Sequence, residues 1–231
     1  MYRQHQGSDQ TGTIDAAYLA GGEILFDGYV TDANLDAGEL AAIDAWVSAG
    51  GVLISTNDST SYDPLATHFG LTIGGSASST WHVADDGHPI MNGRFGSVGS
   101  NGDPFSASGT ISYFDSASLA PGDQVLAVDS TSGEPTMVLR QHGDGWILFM
   151  SDEGPFRANM TGDGTIATAN DILAANLFAW AIDAAADDTY QMQMDVTATN
   201  DAPTFNPPGY TVFTSGDWGY GQNAASAVLD D

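Results

Sequence analysis

Apolar and polar positions alternate in blocks that predict a layered α/β domain. Ile24-Leu25-Phe26 is a short apolar run closed by Asp27, the mark of a buried strand. Asp36 with Glu39 three residues on forms a capping box, and Leu40, Ile43, Trp46 and Val47 follow at helical spacing. Gly50-Gly51 stops that helix, and Val52-Leu53-Ile54-Ser55 reads as a second buried strand closing in Thr56-Asn57-Asp58. Strand, helix, strand with tight Gly punctuation marks a parallel sheet. Residues 62–71 predict a short helix ending at Gly70, and 72–110 predict Gly/Ser loops with short strands. Gln124 to Val128 reads as a strand. Thr136–Gln141 and Trp146–Met150 read as a hairpin about Gly143-Asp144-Gly145. Thr168 caps a last helix whose apolar face carries Leu173, Leu177, Trp180, Ala181 and Ala184.

The two ends lack this pattern. Residues 1–19 are polar and weakly patterned, and read as a flexible or partial N-terminal segment. Composition shifts near residue 187: Tyr190 to Thr199 alternates like a strand, then Asn200-Asp201-Ala202-Pro203 and Pro207-Pro208-Gly209 break it. The expected division is an α/β domain over 20–186, with 187–231 a linker and the start of a further β-rich module.

Charge narrows the partners. Thirty acids face four bases, all Arg (Arg3, Arg94, Arg140, Arg157), for a net charge of −26. Nucleic-acid backbones need clustered Lys/Arg and are excluded, and the same lack argues against an anionic membrane surface. With 42% hydrophobic and only 15% charged residues, the chain can bury a core. Zero Cys excludes disulfides, thiolate metal sites and a Cys nucleophile. No apolar run is long enough to span a membrane, and no apolar leader follows Met1. The acidity either solubilises the surface or suits an extracellular, calcium-bearing setting.

Five blocks together resemble the glutamine-amidotransferase-like superfamily, in its non-amidotransferase members. They are ILFDGY…LDAGELAAIDAWVSAGGVLIST (24–56), DPLATHFGLTIGG (63–75), DGHPIMNG (86–93), MVLRQHGDGWILFMSDEGPF (137–156) and NDILAANLFAWAI (170–182). The resemblance implies a flavodoxin-like α/β fold, a mostly parallel sheet with flanking helices. Family members begin with a strand and a helix before the one at Ile24, for which this chain leaves little room. The open sheet edge would then invite pairing with a second copy. Where true amidotransferases place their Cys, this chain offers Thr56, Asn57 and Asp58. Where they carry His-x-Glu it reads Ser151-Asp152-Glu153, so glutamine hydrolysis by that mechanism is not available. In the tail, VTATNDAP (196–203) is similar to linkers of cadherin-like repeats, and 211–231 to the opening of a propeller-type repeat. Both imply a segment of a longer exported bacterial surface protein.

Open parallel sheets form their sites beyond the carboxyl ends of the strands. Three predicted strands deliver acids there: Asp27, Asp58 and Asp152-Glu153. Such a cluster either caps helices and meets water, or splits into an acid and a base that hydrolyses a glycosidic or ester bond. Asp58, Asp152 and Glu153 are the catalytic candidates. Asp27, Thr56, Asn57, Trp81, His82 and His88 are the ligand candidates, and His82 or His88 could join the acids around a divalent metal. Trp81-His82 is either a sugar-stacking wall or surface packing, and His88-Pro89 either a ligand contact or a turn. His68 reads as structural and His142 as solvated. Residues 159–171 resemble an EF-hand or dockerin calcium loop, with Asn159, Thr161, Asp163 and Asp171 as oxygen donors. The alternative is a Gly-rich loop whose Asp171 caps the helix begun by Thr168. Aromatics among the Gly/Ser loops, with Asn and Asp oxygens, suit carbohydrate recognition. The expected function is therefore a carbohydrate-recognition or scaffold module. A hydrolase using strand-end carboxylates is the alternative.

Overall fold

The computed structural model describes residues 2–6, 13–30, 35–57, 62–108, 111–162 and 164–186. The strands are β1 (Tyr2–Gln6), β2 (Ile24–Val30), β3 (Val52–Asn57), β4 (Ile73–Ala77), β5 (Thr80–Val83), β6 (Asn92–Gly93), β7 (Gly96–Ser97), β8 (Pro104–Ser106), β9 (Ile111–Phe114), β10 (Gln124–Asp129), β11 (Pro135–His142) and β12 (Gly145–Met150). The helices are α1 (Ala16–Leu19), α2 (Ala37–Ser48), α3 (Pro64–His68) and α4 (Ala169–Ala186).

One eight-stranded sheet organises the domain, in the order β1-β2-β3-β12-β11-β10-β5-β8. Its first four strands are mutually parallel, and the remainder is antiparallel. This is the α/β, flavodoxin-like class expected, with a larger antiparallel wing than the sequence suggested.

Strand parity divides the core in two. Leu25, Leu53, Ile147 and Phe149 face α1–α3, where Leu19, Ile43, Val47 and Leu65 cover them. Ile24, Val52, Ile54, Leu148 and Met150 face α4 through Leu173, Leu177 and Ala181. The predicted capping box is present. Asp36 Oδ1 accepts from the Gly38 and Glu39 amides at 2.7 and 2.9 Å, and Glu39 Oε2 accepts from the Asp36 amide at 2.8 Å. Glu39 Oε1 also accepts from the Ile14 amide at 3.0 Å, which ties α2 to the start of the domain. Beyond α2 the Trp46 ring lies against Gly51, where a Cβ would sit 2.5 Å from it.

The start of the chain corrects the sequence reading. The strand and helix expected to be missing are β1 and α1. β1 runs parallel to β2 with Tyr2 opposite Ile24 and Gln6 opposite Gly28. Asp15 caps α1 by accepting from the Tyr18 amide at 2.8 Å, and Ile14 and Leu19 are buried. YRQHQ carries none of the apolar run that marks a central strand, because an edge strand has one neighbour and need not be apolar. The gap left for a second copy is filled by the chain's own strand. Residues 187–231, read as linker and further module, lie outside the described residues.

Candidate functional site

The parallel strands deliver polar side chains to their carboxyl ends, as expected. Asp27 on β2 pairs in register with Ser55 on β3, which in turn pairs with Phe149 on β12. Asp27, Ser55, Thr56, Asn57, Ser151, Asp152 and Glu153 are all buried, none more than 5% exposed. Asp58 lies outside the described residues.

Two further residues join this set that the sequence reading did not single out. Asp63 opens α3, where its Oδ1 accepts from the Ala66 amide at 2.9 Å. Ser112 on β9 donates through Oγ to the Ser151 carbonyl at 2.9 Å, and Ser151 Oγ donates back to the Ser112 carbonyl at 2.7 Å. Asn57 Nδ2 donates to Ser112 Oγ at 3.3 Å. Ser151, Ser112 and Asn57 thus form a hydrogen-bonded clasp at the strand ends. Asp63 carried a legible signal, an Asp followed by Pro at a helix start. Ser112 carried none, because β9 reaches the site only through tertiary folding.

Burial pushes the Asp63 carboxyl up to about 7, and the Asp27 charge adds to the rise against the pull of the Ala66 and Leu65 amides. The other carboxyls are engaged separately. Asp152 Oδ1 accepts from the Gly154 amide at 2.5 Å, and Glu153 Oε1 pairs with Arg157. Ser55 Oγ and Glu153 Oε2 are buried without a hydrogen-bond partner among the described residues.

The aromatic and imidazole candidates fall elsewhere. Trp81 is fully buried and packs edge-on against Phe105 at 6.0 Å, so it cannot be a sugar-stacking wall. Strand parity is the cause: Trp81 and Val83 point into the core together, and His82 takes the opposite face. His82 sits on β5, three strands from β12, a separation of about 14 Å at normal strand spacing. His88 Nδ1 accepts from the Ile90 amide at 3.2 Å within its turn, and its ring packs on Trp180. Burial pushes its pKa down, against the pull of Asp85. His142, expected to be solvated, pairs with Asp44 at 2.7 Å, and His68 pairs with the same carboxylate at 2.8 Å.

The calcium-loop candidates form a helix start. Asp171 Oδ1 accepts from the Thr161 amide at 3.1 Å, and Oδ2 accepts from the Ala167 and Thr168 amides at 3.2 and 3.0 Å. Thr168 Oγ1 accepts from the Asp171 amide at 3.1 Å, closing a reciprocal cap. Burial raises the Asp171 pKa, but the amides outweigh it and hold it at about 2. Its oxygens point at N–H donors rather than at a shared cation position. Among the described residues, no group of three His, Asp or Glu is placed to hold a metal ion. Asp163 lies outside them.

Asn159 and Thr161 instead line a cleft of about 600 Å³, with Thr80, Phe105, Ser106 and Met160 among its other walls. Asn170 anchors it: Nδ2 donates to the Ser106 carbonyl at 2.7 Å and to the Pro155 carbonyl at 2.8 Å. The cleft is therefore stitched to the turn that follows β12.

No protein-family model matches the chain, and no curated protein does. Among solved structures, the chain is similar to a cytoplasmic protein of Salmonella typhimurium LT2, with TM-score 0.50 and 14% identity over 74% of this chain and 76% of that one. It is similar to a ThuA-like protein from Bacteroides uniformis, with TM-score 0.49 and 12% identity over 73% of each chain. It also aligns with a β-galactosidase from Rahnella sp. R3, with TM-score 0.46 and 15% identity over 70% of this chain, and spans only 23% of that enzyme. At these identities the likeness is one of fold. Among the described residues, no helix is long and apolar enough to cross a membrane.

Proposed function

We propose that this chain is a carbohydrate-recognition module of an exported protein, and that it binds a neutral saccharide without hydrolysing it. The observation that carries this reading is the cleft of about 600 Å³ beside the strand ends. That volume lies in the range of small-ligand sites. Its polar wall is neutral, with hydroxyls from Ser106 and Thr161 and the Asn159 amide, and the exposed Met160 supplies an apolar strip above the buried Phe105. Hydroxyls and amides over an apolar strip match a sugar ring, which presents C–H groups and hydroxyls side by side.

The strand-end carboxyls argue against turnover. A glycosidase pair needs one free carboxylate and one acid aimed at the same bond. Asp27, Asp63, Asp152 and Glu153 are all buried, and none of them lines the cleft.

Isothermal titration of the full chain with cellohexaose, laminarihexaose and mannohexaose tests this, with chromatography of the same mixtures. Binding of at least one, weakened by Thr161→Ala, with the sugar recovered intact, is the expected result. Shortened sugars whose release Asp152→Ala or Glu153→Ala abolishes would establish the hydrolase instead.

A further inference from the structure

A second cleft, of about 670 Å³, lies at the opposite end of the sheet. Trp146 stands at the start of β12, and Gln141 is its register partner on β11. Asp144 comes from the turn between them, and Trp180 and Asp183 from the last turns of α4. The strand-end carboxyls follow the other end of β12, so the two sites share no residue.

The two indoles meet edge to face, with centroids 6.0 Å apart and planes at 78°, and make an aromatic corner. His88 packs on Trp180 at 5.7 Å. Asp183 is held by Arg94. Both Trp rings are only partly buried, although they pack against the core. Neither indole N–H, nor the exposed Gln141 or Asp144 side chain, makes a hydrogen bond to another described residue, so all of them are open to a ligand in exchange for water. The corner therefore offers two ring surfaces, at least three N–H donor groups and several carboxylate and amide acceptors in one concavity.

We infer that this cleft is a saccharide-binding site, distinct from the one proposed above and independent of it. A sugar ring lays a C–H face on an indole while its hydroxyls both donate and accept. Asp144 and the Gln141 oxygen take hydroxyl protons, and the indole N–H groups and the Gln141 amide donate to hydroxyl oxygens. A quaternary ammonium ion would also suit two indoles beside carboxylates. It has no acceptor, however, and makes no use of the indole and Gln141 N–H donors.

The chain contains five Trp, so a ¹⁵N-labelled full chain gives five indole N–H signals. Those of Trp146 and Trp180 are assigned from Trp146→Phe and Trp180→Phe. The chain is titrated with cellohexaose, laminarihexaose and mannohexaose, and separately with tetramethylammonium chloride, each to about 10 mM, enough to populate a millimolar site. At least one hexaose is expected to move the Trp146 and Trp180 signals, while the ammonium salt does not. Gln141→Ala and Asp144→Ala, both on exposed side chains, are expected to weaken that response about tenfold or more while the other indole signals stay in place. Thr161→Ala in the other cleft should leave it unchanged, which separates failure here from failure there. Three results would overturn the inference: no response to any hexaose, an equal response to tetramethylammonium, or a response untouched by both alanine variants.

Discussion

Replacing Asp63 with Asn removes a buried charge and keeps the oxygen that caps α3. Asp63 is 1% exposed and accepts from the Ala66 amide at 2.9 Å. Burial, with the Asp27 charge added, raises its pKa from the ordinary 3.8 to about 7. Between those values the folded chain holds a proton that the unfolded chain has released. The stability linked to this proton is therefore fully present below 3.8 and is lost as the pH rises through about 7. A rise of this size separates the two protonation states by about 4 kcal/mol, which is the ceiling of the effect. Asn does not titrate. Asp63→Asn should be close to neutral near pH 4 and more stable than the parent near pH 8, by up to about 4 kcal/mol. Half that ceiling would raise the melting temperature by about 4–8 °C in a domain of this size. Urea denaturation followed by tryptophan fluorescence, run on both proteins across that pH span, measures the difference. Every other titrating group except Asp27, whose charge is coupled to Asp63, is common to both and cancels. A difference that stays constant with pH would refute the reasoning, as would a variant whose advantage over the parent is smaller near pH 8 than near pH 4.

Gly145→Ala should destabilise the β11–β12 hairpin by about 3 kcal/mol or prevent folding, because a Cβ would stand 2.2 Å from the Val47 carbonyl and 2.3 Å from that of Gly51. The urea midpoint reads this directly. Arg140 forks onto Asp123 through Nε and Nη2 at 2.7 and 2.6 Å and donates through Nη1 to the Phe69 carbonyl. Arg140→Ala leaves the buried Asp123 carboxylate with the Ala120 amide but without its cation, and should cost about 3 kcal/mol in the same measurement. Thr168→Ala removes the cap of α4 and should cost about 1 kcal/mol. Millimolar Ca²⁺ should leave the parent's melting temperature unchanged, since the Asp171 oxygens already face amides. A rise with Ca²⁺ that EGTA reverses would restore the calcium loop.

What was legible in the sequence was what repeats locally. The α2 capping box, the Gly-terminated α2 and α3, the β11–β12 hairpin and the α4 start all follow from side chains within a few residues of one another. β1 was not legible, because an edge strand of polar residues carries no period that distinguishes it from a loop. Trp81 was misread because two residues, Trp81-His82, cannot reveal which of them faces inward; that is settled by the neighbouring strands. The strand-end set was half legible. Asp27, Thr56, Asn57, Asp152 and Glu153 stand where a parallel sheet must present them. Ser112 arrives from a small separate sheet, and Asp63 stands at a predicted helix start with nothing local to mark its burial. The loop at 159–171 had the oxygen spacing of a cation loop. The reciprocal bond between Thr168 and Asp171, also encoded at a spacing of three, took the carboxylate instead.

The central question is whether the chain binds sugar and leaves it whole. Calorimetric titration of the full chain with the three neutral hexaoses, with recovery of the sugar from the same cell, decides it. The prediction is saturable binding that Thr161→Ala weakens, with every hexaose recovered at its original length. Heats no larger than dilution for all three, or sugar shortened in a way that Asp152→Ala or Glu153→Ala abolishes, would contradict it.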